Sequence, residues 1–238
     1  MIVMEDGVLI SAGLDARIII WNVTIGFKIR VLKGHFKAIY CLAVLNEENF
    51  ASGSADTSII IWNSNTGQQL KKLKETNCWV WSLAALDKHK LAFASYNHNI
   101  KIFDINSNKE SKQLIGHQSE VTCLLELTDN RLASGSADSS IRIWDTQKAI
   151  ALHELKGHTE TVSSLVLLKD GITLISASLD ATIRMWDIKT GQLIKIIERK
   201  LENKPQEGCL ALALLEDGRL ISGWEDKSVI IWQLKSIQ

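Results

Sequence analysis

The feature that most constrains this chain is a register: an Asp or Asn stands six residues before an aromatic residue, six times over. The aromatics are Trp21, Trp62, Phe103, Trp144, Trp186 and Trp232, spaced by 41, 41, 41, 42 and 46 residues. The polar partners are Asp15, Asp56, Asn97, Asp138, Asp180 and Asp226. Five of the six pairs are Asp and Trp, and the third keeps the shape as Asn and Phe. A period of this length marks a repeat architecture. One small unit cannot bury its apolar faces alone, so successive units must stack.

Each unit reads alike. "DNRLASGSAD" (129–138) is a short strand closed by a turn, and "SSIRIWD" (139–145) alternates as a strand with two different faces does. A polar turn with Gly or Asn follows, as in "NSNTGQQLKKL" (63–73), and leads into another strand. An apolar strand such as "VTCLLEL" (121–127) completes a set of four strands in about 41 residues. No segment sustains a helical period. The one proline, Pro205, lies outside these strands, in a polar stretch (198–208) that reads as a loop.

Composition narrows the function classes. The chain has 27 Lys and Arg against 27 Asp and Glu, a formal net charge of zero, which disfavours a nucleic-acid binder. The four cysteines, Cys41, Cys78, Cys123 and Cys209, lack metal-ligand spacing and are few for a disulfide framework. They read as small buried residues of a reducing compartment. The start, "MIVMEDGVLI", has no basic segment, so it is not a signal peptide. No apolar run reaches the roughly 20 residues of a membrane helix. The expectation is a cytoplasmic or nuclear protein without membrane contact, metal or cofactor.

Three units add a Gly-His pair: Gly34-His35 with Asp56 and Trp62, Gly116-His117 with Asp138 and Trp144, and Gly157-His158 with Asp180 and Trp186. With six units in register, the chain resembles the WD-repeat β-propeller family over essentially its whole length. The resemblance implies an all-β fold of six visible four-stranded blades in one domain, residues 1–238. It also implies that His, Ser, Asp and Trp of one unit form a buried hydrogen-bonded network. A motif that recurs blade after blade is scaffolding; a nucleophile is needed once, in an open cleft. A catalytic site is therefore not expected. Two positions, two and four residues before the Asp, are candidates for that Ser. The nearer is Ser54, Ser95, Ser136 and Ser178, and gives way to Gly13 and Trp224 in the units without Gly-His. That covariation assigns the nearer one. The expected tetrads are His35, Ser54, Asp56 and Trp62; His117, Ser136, Asp138 and Trp144; and His158, Ser178, Asp180 and Trp186. In unit three, Thr76 stands in for His beside Ser95 and Asn97.

Neither terminus supplies an outer strand for unit six. The sequence therefore leaves two architectures: a six-bladed ring held by packing, or an incomplete part of a seven-bladed ring, which is favoured.

For function, the resemblance points to the face that carries the Asp turns and the loops into the first strands. Candidate binding residues there are Trp79, Trp81, Tyr40, Tyr96, Trp224, Glu120 and Glu225, an aromatic and weakly acidic set suited to a short peptide carrying Lys or Arg. The expected role is a non-catalytic scaffold that binds partner proteins or peptides. The alternative is the substrate-recognition module of a larger ubiquitin ligase or kinase. Lys101, Arg142 and Arg184 share one register position and read as exposed strand residues. The oligomeric state is open.

Overall fold

The structure is a computed structural model, described over residues 1–238 except 5–6, 74–77, 88, 96, 108, 200–206 and 235–238. The fold is all-β and of the β-propeller class, with no helix among the described residues. Two compact units divide the chain, 1–115 and 116–238.

The first unit holds three antiparallel sheets. Sheet 1 is β1 (Ile2–Val3), β2 (Val8–Ala12), β3 (Arg17–Asn22) and β4 (Phe27–Lys33). Sheet 2 is β5 (Ile39–Val44), β6 (Asn49–Ser54), β7 (Ile59–Asn63) and β8 (Gln69–Leu73). Sheet 3 is β9 (Val80–Asp87), β10 (Lys90–Ser95), β11 (Ile100–Asp104) and β12 (Lys109–Leu114). In the second unit, sheet 4 is β13 (Val121–Leu127), β14 (Arg131–Ser136), β15 (Ile141–Asp145) and β16 (Ile150–Leu155). Sheet 5 is β17 (Val162–Leu167), β18 (Thr173–Ser178), β19 (Thr182–Asp187) and β20 (Leu193–Glu198). Sheet 6 is β21 (Cys209–Leu214), β22 (Leu220–Trp224) and β23 (Val229–Trp232), three strands among the described residues.

Alternation on the third strand of each sheet explains the stacking. Ile141 and Ile143 turn one face of sheet 4 onto Val162, Leu174 and Trp186 of sheet 5. Ile59, Ala43 and Ala51 of sheet 2 meet Val80, Leu91 and Phe103 of sheet 3 in the same way. Each such large side chain contributes roughly 1.5–3 kcal/mol when fully buried. The contact is close enough to dictate sequence. A Cβ added at Gly53 would stand 2.5 Å from Val80 of the next sheet, and one at Gly135 would stand 2.5 Å from Val162.

Two local devices recur. The residue after each Asp or Asn has a left-handed backbone: Ala16, Thr57, His98, Ser139, Ala181 and Lys227, with φ between 62° and 67°. Side chains other than Gly tolerate that region poorly. The Asp offsets the cost by accepting the backbone N–H two residues on, as in Ser58 to Asp56 (3.0 Å) and Arg17 to Asp15 (3.2 Å). This turn role accounts for Asp15 and Asp226 in units that lack Gly-His. The second device is a β-bulge at the start of the first strand. Ile39 pairs with Ser54 and Cys41 with Gly53, which leaves Tyr40 unpaired between them. Trp81, Thr122, Ser163 and Leu210 occupy the same bulge in sheets 3 to 6.

Candidate functional site

Three sheets carry a buried polar network. In sheet 2, Trp62 Nε1–H donates to Ser52 Oγ (2.8 Å), and the Ser52 hydroxyl lies 2.7 Å from His35 Nε2. His35 Nδ1 lies 2.9 Å from Asp56 Oδ2. A carboxylate can only accept, so Nδ1 carries the proton and Nε2 accepts from Ser52. Sheet 4 repeats the chain through Trp144, Ser134, His117 and Asp138 at 2.8, 2.7 and 2.9 Å. Sheet 5 repeats it through Trp186, Ser176, His158 and Asp180 at 2.8, 2.7 and 2.8 Å.

The serine of these networks is therefore Ser52, Ser134 or Ser176, four residues before the Asp. This corrects the assignment to Ser54, Ser136 and Ser178. The nearer serine has another task. Ser54 Oγ accepts the Asp56 N–H (3.0 Å) and donates to the Lys37 carbonyl (3.1 Å), two residues after His35. Ser136 and Ser178 make the same bonds to the carbonyls of Ser119 and Glu160. It latches the Gly-His loop to the turn, so it varies with that loop. The farther serine answers to the indole. Trp21 donates to Ser11 (2.7 Å) and Trp232 to Ser222 (2.7 Å) in sheets without His. Where the anchor is Phe103, the equivalent position is Phe93. The signal that finds the right residue is thus covariation with Trp. A further hydroxyl was not singled out from sequence: Ser58, Ser140 or Thr182 donates to the same carboxylate at 2.6 to 2.7 Å. In sheet 3, Ser95 Oγ donates to Asn97 Oδ1 (2.7 Å), while Thr76 lies outside the described residues.

Burial pushes the Asp138 and Asp180 carboxyls up, but hydrogen bonds from the His and from Ser140 or Thr182 outweigh it. Both are held well below the ordinary carboxylate range. Asp56 is lowered in the same way by Ser58 and His35. Burial lowers His35, which keeps the imidazole neutral. Each group has its partners inside the network, so none is presented to a substrate. The four cysteines are free thiols, and burial raises Cys123 and Cys209 to about 12. Lys101 and Arg142 pair with Glu110 and Glu154 of the adjoining strands, each at 2.7 Å.

The bulge brings three of the sequence-derived candidates together in the first unit. Tyr40 stacks on Trp81 with centroids 4.5 Å apart and planes 20° apart. Trp79 lies 6.0 Å from Trp81, edge on, and 6.3 Å from Tyr40. Trp79 is 45% exposed, and the Trp81 indole N–H is buried with no hydrogen-bond partner among the described residues. Phe36 and Leu14, on loops adjoining the first strand and the Asp turn, are also exposed.

Trp224 is a correction. It is 3% exposed, so it is no surface anchor. Its indole N–H donates to Ser222 Oγ (2.8 Å), the atom that Trp232 also reaches. It takes over the place beside the serine that His holds in sheets 2, 4 and 5. Arg199, paired with Asp226 at 2.7 Å, lies over its ring at 5.2 Å. The acidic candidates sit in the second unit, where Glu225 accepts the Gly208 N–H (2.8 Å) and Glu120 accepts from Ser119 Oγ (2.5 Å). Tyr96 lies outside the described residues.

Comparison with known proteins places this geometry. A family model described as WD domain, G-beta repeat matches residues 26–63, 108–145 and 150–187. Each matched stretch ends on the third strand of a sheet with a complete His network. The nuclear distribution protein nudF of Emericella nidulans is 35% identical over 66 residues, 27% of this chain and 14% of that protein. The U3 small nucleolar RNA-interacting protein 2 of Mus musculus is 30% identical over 80 residues, 31% of this chain and 17% of that protein. The matches thus span less than a fifth of either relative's length. A solved structure described as Structure of U3-55K superposes with a TM-score of 0.88 at 23% identity, over 98% of this chain and 76% of that one. That likeness is one of fold.

Proposed function

Because this chain belongs to the WD-repeat β-propeller family, we propose that it is a non-catalytic interaction module. Its partner is a protein or peptide, taken on the loop end of sheets 2 and 3. The observation that carries this reading is the cluster of Tyr40, Trp79 and Trp81. Rigid aromatic surface is costly to leave in water, and aromatics of this kind anchor binding interfaces. The buried Trp81 N–H adds a demand, since an unmet donor costs about 1–3 kcal/mol. A partner carbonyl placed there would relieve it. An exposed Trp79 face beside that donor suits a peptide whose Lys or Arg lies over the ring.

Affinity capture from a cell extract tests the reading. Wild type and the Trp79→Ala/Trp81→Ala double variant are compared, with melting curves measured in parallel. The expected result is loss of the captured partner with the fold intact. Retention of the same partner by the double variant overturns it. A zero net charge supports protein over nucleic acid as the partner. Salt-sensitive retention on heparin would reverse that choice.

A further inference from the structure

Charge is balanced over the whole chain but not over its outer strands. In the first unit the last strand of every sheet is basic. β4 carries Lys28, Arg30 and Lys33, β8 carries Lys71 and Lys72, and β12 carries Lys109 and Lys112. These three strands hold one carboxylate, Glu110, which is paired with Lys101 at 2.7 Å. The outer strands of sheets 4 and 5 read the other way. β16 has Glu154 and no Lys or Arg, and β20 has Lys195 and Glu198. The zero net charge therefore conceals a local excess of seven cations over one anion.

The cations belong to one surface of the first unit, because side chains bridge its sheets. Arg30 Nη1 donates to the Asn65 carbonyl (2.9 Å), in the turn that leads to β8. Lys72 Nζ donates to the carbonyl of Gly34, the residue after Lys33, at 3.3 Å. Lys71 Nζ donates to the carbonyl of Ile105, next to Asp104, which pairs with Lys109 in the ladder. The Asp104 carboxylate is turned into its own loop, where it accepts the Ser107 N–H (2.8 Å). A carbonyl fixes an ammonium or guanidinium in place without cancelling its charge. Arg30, Lys71 and Lys72 are thus positioned and still fully cationic, and Lys28, Lys33 and Lys109 beside them are exposed.

We propose that the outer strands of sheets 1 to 3 form a docking surface for an acidic segment of a partner protein, rich in Asp and Glu with an occasional apolar residue. Charge complementarity names the occupant, since clustered charge of one sign steers and holds a chain of the other. Leu70, 52% exposed beside Lys71, offers the apolar contact. Phosphate-bearing partners fit less well. Six of the seven cations are Lys, and the single Arg already spends a guanidinium nitrogen on Asn65, so no two-pronged phosphate fork is built. Neither β8 nor β12 has an aromatic side chain on which a base could stack. The surface makes no use of Tyr40, Trp79 or Trp81, so it stands independently of the aromatic cluster.

Fluorescence anisotropy on the 238-residue chain tests it, with a labelled ~20-residue peptide of Glu carrying Leu at every fourth position as the probe. The expected result is saturable binding that weakens as salt rises. Lys28→Glu/Lys33→Glu/Lys109→Glu should weaken it by ~10-fold or more, because three attractions become repulsions. Lys148→Glu/Lys156→Glu/Lys189→Glu makes the same change in net charge at exposed positions of the second unit and should leave affinity within ~2-fold. Trp79→Ala/Trp81→Ala should leave it unchanged. Melting curves alongside show that the variants are folded, and Lys→Gln at the first three positions should give an intermediate loss. Four results overturn the proposal. They are no saturation at millimolar peptide, equal losses from the two triple variants, a loss from the tryptophan pair, or tighter binding of a ~20-nucleotide single-stranded DNA than of the peptide at the same salt. The last would assign the surface to nucleic acid.

Discussion

Sheets 2 and 3 and sheets 4 and 5 share one backbone device and use it differently. In all four, a bulge leaves one first-strand residue out of the ladder and re-aims its side chain. In sheets 4 and 5 that residue is Thr122 or Ser163. Its hydroxyl donates to the carbonyl of Val162 or Cys209, the first residue of the next sheet. The bulge there is a clasp between neighbours. In sheets 2 and 3 it is Tyr40 or Trp81, and the two rings stack on one another beside an exposed Trp79. The clasp has been exchanged for an aromatic surface. Neighbouring positions follow: exposed Phe36 stands where the second unit has Gln118 and Thr159, and Trp79 where it has Glu120 and Thr161. Identical frames thus carry satisfied hydroxyls at the bulges of sheets 4 and 5, and aromatic rings at those of sheets 2 and 3, where the Trp81 donor has no partner among the described residues. Unmet donors and bare rings are what a partner can improve.

Several experiments would break or sharpen this contrast. Acid acts on all three His networks at once and has the largest effect. The folded state lowers the pKa of His35, so its contribution is complete above the ordinary His value of about 6.5 and drains as pH falls below it. Asp56, Asp138 and Asp180 are also lowered, so theirs is present above about 4 and is lost as pH falls further. Melting temperature against pH should therefore fall in two stages, and His35→Ala should shrink the upper one.

Next comes Ser52→Ala, which strands the Trp62 donor and the His35 acceptor together. Chemical denaturation should show a loss of roughly 2–5 kcal/mol, against about 1 for Ser54→Ala or for Ser11→Ala. Equal losses from Ser52 and Ser54 would undo the serine correction. Thr122→Val should remove about 1 kcal/mol of stability. Smallest is Ala181→Gly, at a left-handed position, with a gain of at most ~1 kcal/mol in thermal unfolding.

The repeat was legible in sequence because Asp, Trp and the alternating strands recur at a fixed interval, and the sheets follow that interval. The polar networks were legible only in part. The His and Trp ends are marked by Gly-His and by the anchor position, but two serines lie on the same strand face, two residues apart. Covariation with Gly-His chose Ser54, which holds the loop, over Ser52, which bonds the ring. Trp224 was misread for a similar reason. At a position usually held by Ser, a large aromatic looks like an exposed addition, whereas it fills the place of an absent His against Ser222. The stacking of Tyr40 on Trp81 depends on the bulge. A strict alternation does not register a bulge, so sequence could place both residues near one end and could not show them in contact.

The most direct test sets the two kinds of bulge against each other, measuring partner binding and melting temperature on paired double variants. Tyr40→Thr/Trp81→Ser should lose the captured partner and shift melting by only a few degrees. Thr122→Val/Ser163→Ala should melt lower and keep the partner. If the aromatic variant retains its partner, or if the hydroxyl variant is the one that loses it, the assignment of binding to sheets 2 and 3 is contradicted.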